Sequence, residues 1–159
     1  MKVVDFLSSD AIIPALVGAT KGEVLAEMAS FLCAQQSAAN GQSAIEPKVL
    51  CRVLEERELL ASTAIGDGIA IPHGKLDTIE RLVGVLGRSL PGLAFDSIDG
   101  KPTHLVFMLV APSNSAGAHL KALARLSRLF RDASFRQRLL DAPDGATLYQ
   151  TIVEEDGKY

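Results

Sequence analysis

Three polar residues of this chain interrupt apolar patterns at places where chemistry could occur: Arg57, His73 and His119. A neutral imidazole is nucleophilic at about pH 7, and a phosphoryl group bound to its nitrogen stays labile enough to be passed on. A guanidinium and a second imidazole can neutralise the oxygens of that group, and the hydroxyl of Thr63 can add a further donor. The residue types therefore favour phosphoryl transfer through a histidine.

Other chemistries lack the residue patterns that they need. No H-E-x-x-H motif, cysteine pair or carboxylate cluster accompanies the histidines, which disfavours a metal site. The sequence also has no G-x-S-x-G nucleophile elbow, Walker loop or G-x-G-x-x-G dinucleotide fingerprint. We therefore expect no metal and no bound cofactor, and we do not expect a serine hydrolase or an enzyme that acts directly on nucleotides.

The histidine best suited to carry phosphate lies in the stretch from Thr63 to Leu76. A Gly-Asp-Gly turn and a short Ile-Ala-Ile strand precede Pro72, which ends a ladder because it lacks an N–H donor. This pattern predicts an exposed His73 held stiffly at a strand end, with Gly74 leaving room for a bulky group to approach the ring. Taken alone, such a histidine is more often a structural residue bonded to a neighbouring loop.

Two helices must precede this stretch. A capping-box pattern and helical spacing predict a first helix from Lys21 to Gln36, followed by a surface loop over Ser37 to Glu46. Pro47 then opens a second helix whose apolar stripe ends at Arg57. An arginine at that place is commonly only a helix-end cation, but here it lies shortly before the stretch that contains the candidate histidine.

Two apolar segments after the candidate histidine predict strands, at Leu82 to Leu86 and at His104 to Val110. The second is apolar on both faces, which is typical of a central strand covered by helices on each side. Between them, Pro91-Gly92 predicts a turn, and Phe95 and Ile98 are expected to pack a loop against the core. His104 itself is assigned a structural role or none.

A long helix is predicted from about Ala116 to Phe130, with cap residues just before it. His119 falls on its buried face in the first turns, where the helix dipole favours negative charge. A lone buried histidine is more commonly a satisfied core residue. The opposite face carries a row of cations that is interpreted as solvated: Lys121, Arg125, Arg128 and Arg131.

Composition places the chain among single-domain proteins of a reducing compartment. Its 159 residues suit one core, and 48% hydrophobic content argues against disorder. Two isolated cysteines indicate the cytoplasm; Cys33 is expected to be a buried thiol, with a disulfide to Cys51 left open. A net charge of −3 disfavours nucleic-acid binding, and no apolar run is long enough for membrane insertion. Two short C-terminal helices are predicted, with Glu154 to Asp156 as a frayed acidic end.

The residues 64–75, A-I-G-D-G-I-A-I-P-H-G-K, resemble a known signature. It is the phosphorylation site of fructose/mannitol-type enzyme IIA domains of the bacterial phosphoenolpyruvate-dependent phosphotransferase system. The likeness is greatest to the nitrogen-related, regulatory enzyme IIA and extends from Asp5 to Gln150. Asp67 stands where many nitrogen-related members have asparagine, and His104 replaces a position that is often acidic.

The resemblance implies a fold and a set of site residues. The fold would be a single three-layer α/β domain over residues 1–159, with a mixed central sheet and helices on both faces. His73 would be phosphorylated on Nε2 by an HPr-type or NPr-type phosphocarrier protein. His119 would orient and stabilise the phosphoryl group and Arg57 would neutralise it, with Thr63 and Gly74 supporting the phosphate site.

The resemblance also leaves the biological role open between three classes. The first is a regulator that signals by its phosphorylation state to a sensor kinase, a transporter or another partner. The second is a sugar-specific component that passes phosphate to an EIIB domain. A non-catalytic interaction module is the third. In the first two cases the protein would be a phosphohistidine carrier rather than a free-standing enzyme.

Overall fold

Six strands form one mixed sheet in a computed structural model that describes residues 1–40 and 45–159. The strands are β1 (Ile12–Ile13), β2 (Ala64–Gly66), β3 (Ile69–Ala70), β4 (His73–Leu76), β5 (Val83–Leu93) and β6 (Thr103–Pro112). A 3-10 helix, Val3–Asp5, is followed by α1 (Lys21–Asn40), α2 (Pro47–Leu60), α3 (Ala116–Leu129), α4 (Ala133–Asp141) and α5 (Gly145–Asp156). The sheet is flanked by these helices.

Strand β6 is the centre of the sheet, as its apolar sequence predicted. It pairs antiparallel with β5 on one side and parallel with both β3 and β4 on the other. The full order is β1-β5-β6-β3-β2, with β4 joined to β6. Every residue from Leu105 to Ala111 is buried, because a central strand covered on both faces exposes neither set of side chains.

Helices cover both faces of the sheet, and strand β4 shows this directly. Successive side chains of a strand point to opposite faces. The Gly74 backbone packs against Val53 of α2, whereas the ring of His73 contacts His119 of α3. The α/β architecture with a mixed sheet and helices on both faces is therefore confirmed.

The two N-terminal helices follow their sequence signals closely. The Thr20 hydroxyl accepts the Glu23 N–H at 3.2 Å and the Glu23 carboxylate accepts the Thr20 N–H at 3.2 Å, which is the predicted capping box. Pro47 begins α2 as expected. Helix α1 runs further than predicted, to Asn40, so the first part of the predicted loop is helical; residues 41–44 of that loop lie outside the described residues.

The prediction for the segment before β6 was wrong in two respects. Strand β5 extends to Leu93, and Pro91-Gly92 lies inside it at a register irregularity rather than in a turn. Gly92 adopts a φ of 80°, which permits a bulge that leaves the strand pairing intact on either side. Phe95 is buried as predicted, but Ile98 is 88% exposed and does not pack against the core.

The acidic C-terminal run is part of a helix and is not frayed. Glu155 and Asp156 are 1% and 2% exposed within α5. The Asp156 carboxylate accepts from Arg125 at 2.7 Å, and Glu155 pairs with Lys158 at 2.9 Å. Arg125 therefore ties α3 to α5 and does not belong to a solvated face, although Lys121 and Arg128 on the same helix are exposed.

Both cysteines are free thiols, and Cys33 is buried as predicted. Burial raises the pKa of the Cys33 thiol to about 11. Neither of them forms a disulfide. Across residues 1–40 and 45–159, no helix is both long enough and apolar enough to cross a membrane.

A buried arginine joins the sheet to the C-terminal helices. Arg88 of β5 is 4% exposed, and its Nη1 donates to the Leu139 carbonyl at 2.9 Å and the Ala142 carbonyl at 2.7 Å. Its Nε donates to the Pro14 carbonyl at 2.9 Å. The Leu139 carbonyl also accepts the Ala142 N–H at 3.4 Å, so the cation adds a second donor there and gives the carbonyls of Pro14 and Ala142 a side-chain donor.

Replacing this arginine should destabilise the fold. Arg88→Met fills similar space but leaves the carbonyls of Pro14 and Ala142 without their side-chain donor, so we expect the free energy of unfolding to fall by about 2–4 kcal/mol. The measurement is equilibrium unfolding in urea. Arg81→Met is the matched control, because Arg81 is exposed, and it should change stability by no more than about 0.5 kcal/mol. Equal losses in both variants would contradict the role of Arg88.

Candidate functional site

Three elements bring the three predicted residues to one place. Arg57 lies in the last turn of α2, His73 begins β4 and His119 lies in the first turns of α3. The Arg57 Nε donates to the His73 Nε2 at 3.3 Å. The rings of His73 and His119 are edge to face, with centroids 5.2 Å apart and planes at 77°. The structure thus assembles two imidazoles and a guanidinium into one site.

The hydrogen bonds of His73 determine which ring nitrogen is free. Its Nδ1 lies 2.8 Å from the carbonyl oxygen of Ile71, and a carbonyl can only accept, so this nitrogen is assigned the proton. The Nε2 atom then carries a lone pair, which fits its role as acceptor from Arg57. The nucleophilic nitrogen of His73 is therefore Nε2.

The surroundings of His73 differ from the expectation in two details. It opens a new strand instead of following the end of β3, because β4 pairs with β6 from His73 onwards. Its side chain is half-buried rather than exposed. Pro72 separates the two strands while its carbonyl accepts the Leu109 N–H at 2.9 Å, so the chain remains attached to the central strand at this point.

Electrostatics keep His73 neutral. Burial lowers the pKa of His73, and the charges of Arg57 and Lys75 lower it further. The hydrogen bond to the Ile71 carbonyl and the charge of Glu58 act in the opposite direction but do not cancel the decrease. A neutral ring at physiological pH is the form that can attack phosphorus.

His119 is more deeply buried than His73, with 6% of its surface exposed. Burial, with contributions from His73 and Lys75, lowers the pKa of His119 to about 4. Its Nε2 is buried and has no hydrogen-bond partner among the residues that the structure describes. A buried polar atom without a partner is costly, so this nitrogen is available for a ligand atom that enters the site.

Thr63 does not present its hydroxyl to the site. It is 5% exposed, its hydroxyl donates to the Glu58 carboxylate, and its N–H donates to the same carboxylate at 3.1 Å. The hydroxyl proton is therefore already engaged, which corrects the expectation of a direct donor to phosphate. Glu58 is also paired with Lys21 at 2.7 Å.

Gly74 supports the site by close packing. A Cβ atom at this residue would lie 2.6 Å from the Cγ1 of Val53, so only glycine lets α2 approach β4 this closely. The space that was expected to admit a bulky group beside the ring is filled by α2. Because α2 carries Arg57, this approach sets the distance between the guanidinium and the imidazole.

Two residues near the site were missed by the sequence analysis. Lys75 is exposed and lies two positions after His73 in β4, hence on the same face, and strand alternation alone could have indicated it. Glu58 is 9% exposed and continues the buried stripe of Leu50 and Leu54 at i+8. Helical spacing is compatible with either Glu58 or Arg57 as the last residue of this stripe, and the sequence-based prediction chose Arg57.

The remaining polar residues singled out from the sequence lie apart from this constellation. The Nδ1 of His104 is 3.1 Å from the Ser89 carbonyl, and the ring packs against Gly92, so His104 stabilises the β5–β6 pair at the bulge. Arg128 stacks on the ring of Tyr159 at 4.4 Å. In the described parts of the chain, no group of three or more histidine, cysteine, aspartate or glutamate residues could hold a metal ion.

The packing at Gly74 leads to a testable consequence. Gly74→Ala should push α2 away from β4, lower the free energy of unfolding by about 1–3 kcal/mol and separate Arg57 from His73. Because the Arg57 charge lowers the pKa of His73, that pKa should rise, which NMR titration of the imidazole would measure. Gly22→Ala is the control, since its added Cβ meets nothing within 4 Å. An unchanged His73 titration would show that α2 does not move.

The low pKa of His119 predicts a pH dependence of stability. Below about pH 6.5 the unfolded chain binds a proton on this histidine, whereas the folded protein binds it only near pH 4. Stability contributed by His119 is therefore lost as the pH falls through this window, by about 2–3 kcal/mol. Urea unfolding of wild type and His119→Asn between pH 7 and 4 should give a shallower acid loss in the variant. Parallel curves would contradict the depressed pKa.

Comparison with known proteins agrees with this geometry. A family profile described as phosphoenolpyruvate-dependent sugar phosphotransferase system, EIIA 2, matches residues 5–155. A nitrogen regulatory protein of Bradyrhizobium diazoefficiens is 38% identical over 152 residues, which cover 96% of this chain and 95% of that protein. The fructose-specific EIIABC component of Bacillus subtilis is 34% identical over 156 residues, covering 98% of this chain and 24% of that longer protein.

A solved structure gives the same result. The crystal structure of nitrogen regulatory protein IIA-Ntr from Neisseria meningitidis matches with a TM-score of 0.85 at 27% identity, covering 94% of this chain and 98% of that chain. The nitrogen regulatory homologues confirm the resemblance drawn from the I-P-H-G stretch. The fructose-specific homologue is consistent with the alternative of a sugar-specific component. The chain belongs to the EIIA type-2 domains of the phosphoenolpyruvate-dependent phosphotransferase system.

Proposed function

We propose that His73 accepts a phosphoryl group on Nε2 from an HPr-type or NPr-type phosphocarrier and that its phosphorylation state signals to partner proteins. The single observation that carries this proposal is the nucleophilic Nε2 lone pair of His73 placed between the Arg57 guanidinium and the ring of His119. Membership of the EIIA type-2 family supports the direction of transfer. The two free cysteines fit a cytoplasmic location for this exchange.

The transfer would exchange one N–P bond for another. Nε2 of His73 attacks the phosphorus of the donor's phosphohistidine, the donor N–P bond breaks, and the electron pair returns to the donor imidazole. The Nδ1–H of His73 stays bonded to the Ile71 carbonyl, which stabilises the positive charge that develops on the ring. Arg57 would move from Nε2 to a phosphoryl oxygen, and the unpaired His119 Nε2 gains a partner.

The helices that supply the site residues also offer apolar surface to a protein donor. Leu59 and Leu60, shortly after Arg57 in the chain, are 86% and 82% exposed, and Leu120, directly after His119, is 68% exposed. Apolar side chains exposed around a polar centre are typical of protein–protein contact surfaces. Addition of nearly two negative charges at the centre of such a surface would change how a partner docks.

The nitrogen regulatory relatives support a regulatory role, with a sensor kinase or transporter as the kind of target. The second candidate is sugar-specific transfer to an EIIB domain. It is favoured by the Bacillus subtilis fructose relative, whose name includes a B component beside the A component that this chain matches. The third candidate is an interaction module whose binding does not depend on phosphate. The buried, unpaired Nε2 of His119 does not support it, because that atom suits a ligand that enters the site.

Phosphorylation with purified components tests the proposal. The protein incubated with phosphoenolpyruvate, enzyme I and an HPr-type donor should gain one acid-labile phosphoryl group by intact mass, and His73→Ala should gain none. His119→Asn should slow transfer on the order of 10-fold to 100-fold, because it removes one group around the transferring oxygens. His104→Gln is the control and should react at the wild-type rate.

Three outcomes of that experiment would alter the proposal. Phosphate retained by His73→Ala would contradict the acceptor assignment. Rapid onward transfer to an added EIIB domain would favour the sugar-specific candidate over the regulator. Equal partner affinity for unphosphorylated protein, phosphorylated protein and His73→Asp would favour the interaction module.

A further inference from the structure

We infer that Glu58 is a positioning residue for phosphoryl transfer, because its buried carboxylate fixes the segment that orients the Nε2 atom of His73. This inference rests on the proposed function of His73. The hydrogen-bond and ion-pair partners of the Glu58 carboxylate are Thr63 and Lys21, and not Arg57, His73 or His119. It acts through the chain segment that connects α2 to β2.

The carboxylate of Glu58 is fully engaged. Its side chain is 5% exposed, and it accepts from the Lys21 ammonium at 2.7 Å, from the Thr63 N–H at 3.1 Å and from the Thr63 hydroxyl. Three donors converge on two oxygens, which only an ionised carboxylate can satisfy. Burial of a charge is tolerated because of these partners, so the carboxylate and the segment that it binds are held in one arrangement.

One path runs from this carboxylate to the imidazole. The Thr63 carbonyl accepts the Ile71 N–H at 3.0 Å, and the Ile71 carbonyl in turn accepts the His73 Nδ1–H at 2.8 Å. The bond to Ile71 fixes both the ring orientation and the tautomer that leaves Nε2 unprotonated. A shift of Thr63 therefore reaches His73 through a single intervening residue.

A second path runs to the guanidinium. Arg57 Nη1 donates to the Ala61 carbonyl at 2.8 Å, and Ala61 lies in the turn that the Glu58 contact with Thr63 closes. Ser62 in the same turn donates to the Phe95 carbonyl at 2.7 Å. The turn that anchors Arg57 and the residue that anchors the imidazole thus depend on the same carboxylate.

Glu58 also contributes to the charge balance of the site. The groups that face His73 are Arg57 and Glu58 from α2, Lys75 from its own strand and His119 from α3. Among them, Glu58 supplies the negative charge that raises the pKa of His73 against the effects of burial, Arg57 and Lys75. Removal of this charge should lower the pKa of His73 further.

The test compares Glu58→Gln with Glu56→Gln, the same chemical change at an exposed residue on the other side of Arg57. Glutamine keeps the size of the side chain but offers one acceptor oxygen to the three donors. We expect Glu58→Gln to slow phosphorylation of His73 on the order of tenfold, with Glu56→Gln unchanged, because small displacements of reacting groups cost large factors in rate.

NMR of the His73 ring measures its tautomer and its pKa. Neither should change if Glu58 only stabilises the fold. In wild type and Glu56→Gln, the ring nitrogen shifts should report a proton on Nδ1 and a single tautomer. Glu58→Gln should show a mixture of tautomers and a lower pKa of His73. Thr63→Val keeps the Glu58 charge but removes the hydroxyl contact, so it should mix the tautomers with a smaller pKa change.

The outcomes separate this inference from the proposed function. A Glu58→Gln protein with wild-type tautomer, pKa and transfer rate, even at a reduced melting temperature, would overturn the positioning role. If wild type accepts no phosphate, the proposed function of His73 fails, but the ring measurements still decide whether Glu58 fixes the imidazole. A tautomer change together with slowed transfer, in a variant that remains folded, would support both.

Discussion

The close approach of helix α2 to strand β4 is the constraint on which the site depends. At Gly74 a methyl group would collide with Val53, so the helix and strand are as near as a backbone without a side chain permits. That approach brings Arg57 within 3.3 Å of the imidazole of His73. This packing gives a reason for the glycine directly after His73: any side chain at Gly74 would push α2 away from β4.

The charges around His73 suit the reversible phosphoryl transfer that we propose for this residue. Two neutral imidazoles lie beside Arg57 and Lys75, and the negative charge that acts on His73 is that of the buried Glu58 carboxylate. A phosphoryl group would enter a place with an excess of positive charge and an unpaired nitrogen. Because neither histidine carries a positive charge, the attraction is moderate, which suits a group that would have to leave again.

The sequence predicted the three polar residues that the structure brings together better than it predicted the residues around them. His73, Arg57 and His119 each broke an apolar pattern, and such breaks are visible without knowledge of tertiary contacts. Glu58 and Arg57 are neighbours on the same turn, so helical periodicity could not decide which of them is buried. The role of Thr63 was misassigned because its hydroxyl is bound by Glu58, a contact that residue types and spacing do not reveal.

The errors at the chain's other end have the same physical origin. Glu155 and Asp156 were expected to fray because an acidic run is usually solvated, yet both are buried. Glu155 pairs with the nearby Lys158, but the partners of Asp156 come from distant parts of the sequence. Arg125 donates to the Asp156 carboxylate, and Lys2 donates to the Asp156 backbone carbonyl at 2.6 Å. Local composition cannot show that cations from α3 and from the start of the chain will converge on this residue. Burial of charge is thus decided by tertiary pairing, and that is equally true of Glu58, whose buried carboxylate is held by Lys21 and Thr63.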